Sequence, residues 1–201
     1  MIAMKSVIAV AAALALPALL AGGAGAGPLD SPGFAKSLTC AACHGAGGNS
    51  RSDSMPIIAG LQPAYFKKQI EAYAAGKRPS PEMEPYAKLV LNLGVDDIAR
   101  YFAEQKMQPT PVTANAAAVA RGRGAAAQCV ICHGQDGKGD PAKLIPSLAG
   151  QPPGYLREQM LLFKQDKRSP GDAPLKALKT LMLSISDETF ADLAAYYSSL
   201  R

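Results

Sequence analysis

The chain has 201 residues, 48% of them hydrophobic and 18% charged, with a formal net charge of +5 and no tryptophan. This mild basicity, part of which belongs to Lys5 near the amino terminus, predicts no nucleic-acid partner and no strong attraction to a membrane surface. The charge either forms a weakly positive docking face for an acidic protein or belongs to an ordinary mixed surface, which is the interpretation we favour.

The amino-terminal segment has the pattern of a secretory signal peptide. Lys5 supplies a positive charge, residues 7–20 form an apolar run, and Ala24-Gly25-Ala26 is a small-residue cleavage site. We therefore expect residues 1–26 to be removed after Ala26 and the product to be exported to a periplasm. An uncleaved membrane anchor is the alternative, although the apolar run is short for a span of about 20 residues.

A pentapeptide pattern, Cys-x-x-Cys-His, occurs twice and uses all four cysteines and both histidines of the chain. It is the attachment pattern of c-type haem, in which two thiols form thioethers and the adjacent imidazole coordinates the iron. The pattern predicts two covalently bound haem c groups. The predicted thioether residues and proximal iron ligands are Cys40, Cys43 and His44 in the first site, and Cys129, Cys132 and His133 in the second.

Three other interpretations of the pattern are weaker. A zinc site needs four ligands, and each pentapeptide offers three. A thioredoxin-like redox pair should lie in a βαβ pattern, and no strand-rich pattern surrounds either pentapeptide. A structural disulfide would leave the histidine that follows each cysteine pair unexplained.

The chain repeats itself beyond the two pentapeptides. Each is followed by a Pro-containing segment, a helical stretch that ends in Lys-Arg (66–78 and 156–168) and a closing helix that includes 97–102 or 192–197. Each unit is marginal for an apolar core by itself, and a buried haem would supply the missing apolar mass.

The repeat predicts an all-α protein of two tandem haem-binding domains joined by a short, stiff linker that contains proline. The predicted divisions are a first domain at 27–108, a linker at 109–114 and a second domain at 115–201. Gly33 and Gly122 each lie seven residues before their first cysteine. Each glycine either lets an opening helix cross the closing helix closely or is an ordinary loop residue.

These residues together resemble the dihaem cytochrome c4 family, which has two class I cytochrome c domains in tandem. The resemblance covers the mature chain through Cys-x-x-Cys-His, Pro-x-x-Ala-Gly, Tyr-x-x-x-Gln and Lys-Arg in each half. It implies a periplasmic electron carrier with redox protein partners, associated peripherally with the inner membrane and with terminal oxidases. It also implies that the carbonyl groups of Pro56 and Pro146 accept the imidazole N–H of His44 and His133.

The distal iron ligands are predicted to be methionines, because the pentapeptides already use every cysteine and histidine. In the first domain, Met83 matches the Met-x-Pro-x-Ala segment of the family. Met55 lies too close to the haem attachment, and Met107 lies beyond the closing helix.

The second domain departs from the family pattern at this position. When the closing helices are aligned, Leu178 falls where the first domain has Met83. We assign Met182 as the distal ligand, four residues before Ser186, the predicted N-cap of the closing helix. The alternatives are Met160, a lysine such as Lys176 or Lys179, and an open iron.

Three functions compete. The first is a periplasmic electron carrier that is not an enzyme and passes electrons from a respiratory donor to an acceptor such as a terminal oxidase. The second is the haem subunit of a periplasmic dehydrogenase complex, for example a sulfide-oxidising flavocytochrome. The third is a dihaem peroxidase or ligand sensor at the second haem, which is disfavoured because no spare histidine remains for acid–base work.

Overall fold

A computed structural model describes residues 27–201, and the predicted signal peptide lies outside the described residues. The described chain is helical and has no strand, only an isolated bridge between Asp140 and Ile145. None of its helices is long and apolar enough to cross a membrane. The α-helices are α1 (Pro32–His44), α2 (Pro63–Ala74), α3 (Met83–Glu104), α4 (Ala116–Ala125), α5 (Val130–His133), α6 (Pro153–Lys164), α7 (Lys176–Leu183) and α8 (Asp187–Ser199).

The helices begin at residues suited to that position. Ser31, Asn115 and Ser186 cap α1, α4 and α8 by accepting hydrogen bonds from backbone N–H groups of the first turn. The predicted cap at Ser186 is therefore confirmed. Helices α1, α2 and α6 each start with a proline, whose missing N–H costs nothing in the first turn.

The middle helix of each half is shorter than the sequence predicts. Helix α2 ends at Ala74 and α6 at Lys164, several residues before the predicted ends at Arg78 and Arg168. Left-handed residues follow at Gly76 (φ 68°) and Asp166 (φ 56°), and such a backbone cannot continue a right-handed helix. The Lys-Arg pairs therefore lie on turns and not on the helices.

The opening and closing helices of each half cross at a glycine. A side chain at Gly33 would collide with the carbonyl group of Asp97 and lie 2.8 Å from Cβ of Tyr101. At Gly122 the corresponding neighbours are the carbonyl group of Asp192 and Cβ of Tyr196. Of the two alternatives for these glycines, the close crossing is the one that the structure shows in both halves.

Two separate apolar clusters form the core. The first is drawn from residues 34–102 and includes Ile70, Ile98 and Phe102, and the second, drawn from residues 125–200, includes Leu156, Phe190 and Leu193. Each cluster is built from its own half of the chain, as tandem domains require.

The closing region differs between the halves. In the first half, α3 continues from Met83 to Glu104 through a kink at Gly94, where φ is 101°. In the second half the chain breaks into α7 and α8 across residues 184–186. Helix α7, which precedes this break, is thus shorter than the part of α3 that precedes the kink at Gly94.

The halves contact each other through a buried glutamine. Gln151 accepts a hydrogen bond from the N–H of Ile57 at 3.0 Å and donates one to the Ile57 carbonyl oxygen at 2.8 Å. The segment that connects the two halves is also hydrogen-bonded to the second half. Thr110 is buried and its N–H donates to the Gly150 carbonyl oxygen at 2.8 Å, so the segment is packed against the second half.

Candidate functional site

The two cysteine pairs lie at helix ends. Cys40 and Cys43 lie in the last turns of α1, which ends at His44, whereas in the second half a short 3-10 turn precedes α5, which ends at His133. Three residues along a helix is close to one turn, so the two thiols of each pair face the same side. No cysteine is in a disulfide within the described chain. The first cysteine of each pair packs against its core cluster, and the second is exposed.

Both histidines are held by a proline carbonyl group. His44 Nδ1 donates to the Pro56 carbonyl oxygen at 2.8 Å, and His133 Nδ1 donates to that of Pro146 at 3.0 Å. A carbonyl oxygen can only accept, so in the neutral ring the proton is on Nδ1 and Nε2 has a free lone pair. An imidazole oriented in this way is suited to bind a metal through Nε2.

The surroundings keep these imidazoles neutral. Burial lowers the pKa of His44 and of His133, and the bond to the proline carbonyl group offsets part of that effect. Both rings are therefore unprotonated near neutral pH, as a metal ligand must be.

The thiols do not resemble a redox-active pair. Burial, with a smaller effect from Cys43, raises the pKa of Cys40 to about 11, and burial likewise raises that of Cys129. Thioredoxin-like cysteines have lowered pKa values. Within residues 27–201 no cluster of three His, Cys, Asp or Glu side chains is arranged to hold a metal ion. Two free thiols beside an oriented, neutral imidazole fit a haem c in each half.

Met83, the predicted distal ligand of the first haem, is the first residue of α3. It is half-buried against the cluster that contains Cys40. The predicted equivalent, Met182, lies near the end of α7 and is 7% exposed within the cluster that contains Cys129. Each methionine thus shares an apolar cluster with a haem-attaching cysteine of its own half.

The glycine crossings give both halves a common register for comparison. In that register Met182 corresponds to the fully buried Ala87, and Leu178 corresponds to Met83. Among the alternatives, Met160 packs against the same cluster as Met182. Lys179 is paired with Asp166 at 2.7 Å, beside a cavity of about 330 Å³ that Lys176 also lines.

The structure gathers between the halves a group of residues for which the sequence predicted no role. The sequence feature that could have identified these residues is their repetition, because Tyr-x-x-x-Gln and Lys-Arg occupy equivalent places in both repeats. The group consists of Tyr65, Gln69, Arg78, Tyr155, Gln159 and Arg168.

Comparisons with known proteins extend these observations. The cytochrome c family profile matches residues 119–201. The chain is 32% identical over 175 residues to cytochrome c4 of Pseudomonas aeruginosa, covering 84% of this chain and 87% of that one. It is 29% identical over 177 residues to a thiosulfate dehydrogenase electron acceptor of Stutzerimonas stutzeri, covering 81% and 79% of the two chains.

The fold is also similar to that of a solved structure. Reduced recombinant cytochrome c4 from Pseudomonas stutzeri superimposes with a TM-score of 0.75 at 27% identity. The match covers 84% of this chain and 97% of that one, so it includes both halves.

Proposed function

Because this chain belongs to the dihaem cytochrome c4 family and carries two covalently bound haem c groups, we propose that it is a periplasmic carrier of electrons between a respiratory donor and an acceptor such as a terminal oxidase. Electron transfer is the activity of the whole molecule, which needs redox protein partners on both sides. In this proposal the protein is not an enzyme.

The duplicated histidine arrangement carries the proposal. In each half the imidazole Nδ1 is bonded to a proline carbonyl oxygen, at 2.8 Å in the first and 3.0 Å in the second, beside two free thiols. Two equivalent sites of this kind in one chain suit storage or relay of two electrons, and they use both histidines of the chain.

Each residue type has a separate task. The cysteine pairs would tether the haems as thioethers, and His44 and His133 would each bind an iron through Nε2. Met83 and Met182 are the proposed second ligands, whose thioether sulfur would favour the reduced iron. When bound, each haem supplies a one-electron ferric–ferrous couple. The apolar clusters around Cys40 and Cys129 exclude water and keep the ligands in place.

We place the domain boundaries at 27–108 and 115–201, with 109–114 as the linker. Support comes from the two clusters, whose members fall at 34–102 and 125–200. The location rests on the predicted signal peptide at 1–26, which would export the chain to the compartment where haem c is attached. Amino-terminal sequencing of periplasmic protein should begin at Gly27, and a membrane-bound fraction removable by salt would indicate peripheral association.

A second candidate is a dedicated acceptor for one dehydrogenase. The observation that favours it is the relative named as a thiosulfate dehydrogenase electron acceptor, of which this chain covers 79%. In that case the protein would receive electrons within a stable complex, as the haem subunit of a periplasmic dehydrogenase does.

Stopped-flow kinetics on the haem-loaded protein separates the two. A free carrier, reduced chemically, should be reoxidised by membranes that contain a terminal oxidase, with a rate proportional to its concentration. A dedicated acceptor should instead be reduced by thiosulfate plus its dehydrogenase and copurify with it at fixed stoichiometry. If no membrane that contains a terminal oxidase reoxidises the reduced protein, the proposal of a free electron carrier is contradicted.

A further inference from the structure

One hydroxyl group in the core of the second half has no hydrogen-bond partner in the described chain. It belongs to Tyr197 of α8, a residue that is 3% exposed. A buried hydroxyl without a partner is costly, because it has lost its hydrogen bonds to water and has gained none in the protein. Such a group needs an explanation, and one explanation is a ligand that is bound beside it.

The residue equivalent to Tyr197 in the first half is Phe102. The Phe102 carbonyl oxygen accepts a hydrogen bond from the N–H of Gly60 at 2.7 Å. The Tyr197 carbonyl oxygen accepts one from the N–H of Gly150 at 3.0 Å. Each glycine closes the Pro-containing segment of its own half, so the two aromatic residues occupy the same place in the two closing helices.

The two aromatic rings also lie against equivalent stretches of backbone. A Cβ atom at Gly48 would lie 2.9 Å from Cδ1 of Phe102, and a Cβ atom at Gly137 would lie 3.0 Å from Cδ1 of Tyr197. Each of these glycines lies four residues after the histidine of its Cys-x-x-Cys-His pattern. The surroundings of the ring are thus repeated, and the side chains at the two places differ by one hydroxyl group.

The hydroxyl of Tyr197 lies close to the haem-attaching residue Cys129, which packs against the same apolar cluster. Burial raises the pKa of Tyr197, and the nearby Cys129 raises it further. Burial also raises the pKa of Cys129, and the Tyr197 hydroxyl offsets part of that effect. The two side chains therefore interact, although the free thiol does not serve the hydroxyl as a hydrogen-bond partner of normal geometry.

Haem attachment changes what Cys129 offers to this hydroxyl. A thiol is both a weak donor and a weak acceptor, whereas a thioether sulfur has no proton and can only accept. A buried phenol without another partner is then matched to an acceptor that has no proton of its own. The first half has no donor at the equivalent place, because the side chain of Phe102 carries no hydroxyl.

A hydrogen bond to this sulfur would change the electron affinity of the haem. The sulfur is covalently joined to the haem, so the positive end of the O–H dipole would lie near the macrocycle. The reduced haem has one electron more than the oxidised haem and is therefore stabilised more by a nearby positive dipole end. Hydrogen bonds from surrounding residues are one of the means by which a protein adjusts the reduction potential of a haem.

We propose that the Tyr197 hydroxyl donates a hydrogen bond to the thioether sulfur of Cys129 in the haem-loaded protein, and that this bond raises the electron affinity of the second haem. Tyr197 is thus a positioning residue that acts through Cys129. Phe102 leaves the first haem without this contribution. The inference rests on the attachment of haem c at Cys129 and is independent of which donor or acceptor the protein serves.

The test exchanges the two aromatic residues in the haem-loaded protein. Y197F removes the hydroxyl from the second half, and F102Y introduces one at the equivalent place in the first half. In a spectroelectrochemical titration, Y197F should lower the reduction constant of one haem by about threefold, equivalent to about 28 mV for one electron. F102Y should raise the reduction constant of the other haem.

Y196F is the matched control, because it removes a hydroxyl from the adjacent, partly exposed tyrosine of the same helix. It should leave the reduction constants of both haems unchanged. The proposal is wrong if Y197F changes neither constant, or if Y197F and F102Y act on the same haem. Should F102Y fail to accumulate, Y197F and Y196F are sufficient, since Y197F must still change one haem and not the other.

Urea unfolding of the haem-loaded protein tests whether the hydroxyl has a partner. If Tyr197 donates a hydrogen bond, Y197F loses it, and the unfolding constant should rise about fivefold. If Y197F instead unfolds less readily than the wild type, the hydroxyl is unpartnered in the loaded protein and the proposal is wrong. Removing a buried polar group that has no partner stabilises a protein, so the two cases differ in sign.

Resonance Raman spectra test whether the acceptor is the sulfur. When deuterium oxide replaces water, a carbon–sulfur stretching band should shift in the wild type and stay unchanged in Y197F, because the proton of the phenol is exchanged in the first and missing from the second. A change in reduction constant without any such deuterium-sensitive band would show that the hydroxyl donates to another acceptor, and would overturn the proposal.

Discussion

Gly122 of α4 lies directly against the carbonyl group of Asp192 in α8, with no room for a Cβ atom between the two backbones. The same contact joins Gly33 to Asp97 in the first half. These crossings bring the haem-attaching end of each domain against its closing helix, so the cores depend on them.

Replacing Gly122 by alanine should destabilise the second domain by about 3 kcal/mol or more, because the added carbon can be accommodated only if the helices separate. The matched control is Gly124→Ala on the same helix, where nothing lies within 4 Å. That change should stabilise by about 1 kcal/mol through helix propensity. Urea unfolding followed by haem absorbance measures both, and equal effects of the two substitutions would contradict the crossing.

Met83→Ala and Met182→Ala test the proposed distal ligands. Each should remove one of two equivalents of the sulfur-to-iron charge-transfer band and lower the potential of one haem, because a soft thioether favours ferrous iron. Met160→Ala is the control, since that side chain packs against the second cluster and should leave the band unchanged.

Retention of the full band in Met182→Ala would exclude Met182 as the ligand of the second haem. This test is informative because Met182 is equivalent, in the alignment of the two closing helices, to Ala87, which is a core residue in the first half. An open second iron would then be expected to bind small ligands, and hydrogen peroxide turnover by the wild-type protein would revive the peroxidase hypothesis.

Gln151→Ala should weaken the contact between the halves. It leaves the N–H and the carbonyl group of the buried Ile57 without partners, at about 1–3 kcal/mol for each group. We expect a lower urea midpoint and separate transitions for the two haems. The control is Gln135→Ala, a substitution at an exposed position, which should keep a single urea unfolding transition. Separate unfolding transitions in this control would show that joint unfolding of the two halves does not depend on Gln151.

Acid should weaken the crossing of α4 and α8. A hydrogen bond from Arg121, partly opposed by burial, lowers the pKa of Asp192. A carboxylate with a lowered pKa adds stability that is complete above its unfolded value of about 3.9 and is lost as the pH falls through the folded value. Asp192→Asn should therefore be slightly less stable than wild type at neutral pH, with the difference vanishing in acid.

Urea midpoints measured between about pH 6 and pH 2 check this. Asp96→Asn, which removes an exposed carboxylate paired with Lys67, serves as the control. If the difference in urea midpoint between wild type and Asp192→Asn stays constant down to the lowest pH, the ion pair with Arg121 does not have this role. Added salt should reduce the difference in midpoint at neutral pH.

Local patterns were sufficient for much of this protein. The spacing of Cys40, Cys43 and His44, and its duplication, predicted the cofactors, because covalent attachment needs those atoms within one helical turn. Repetition predicted two helical domains, whereas the matched glycines left open whether they mark helix crossings or loops, and the structure decided for crossings. Helix ends were less predictable, since α2 and α6 stop at left-handed residues before their Lys-Arg pairs.

The sequence by itself thus determined which residues can attach haem and how many times the unit occurs, because both are encoded within short stretches of chain. Only the tertiary structure decided what the recurring Tyr, Gln and Arg residues do. Arg78 meets Gln159 across 81 residues of sequence, and the charge balance of that contact depends on burial and on neighbours from the other half. Burial and long-range proximity arise only when the two domains pack together.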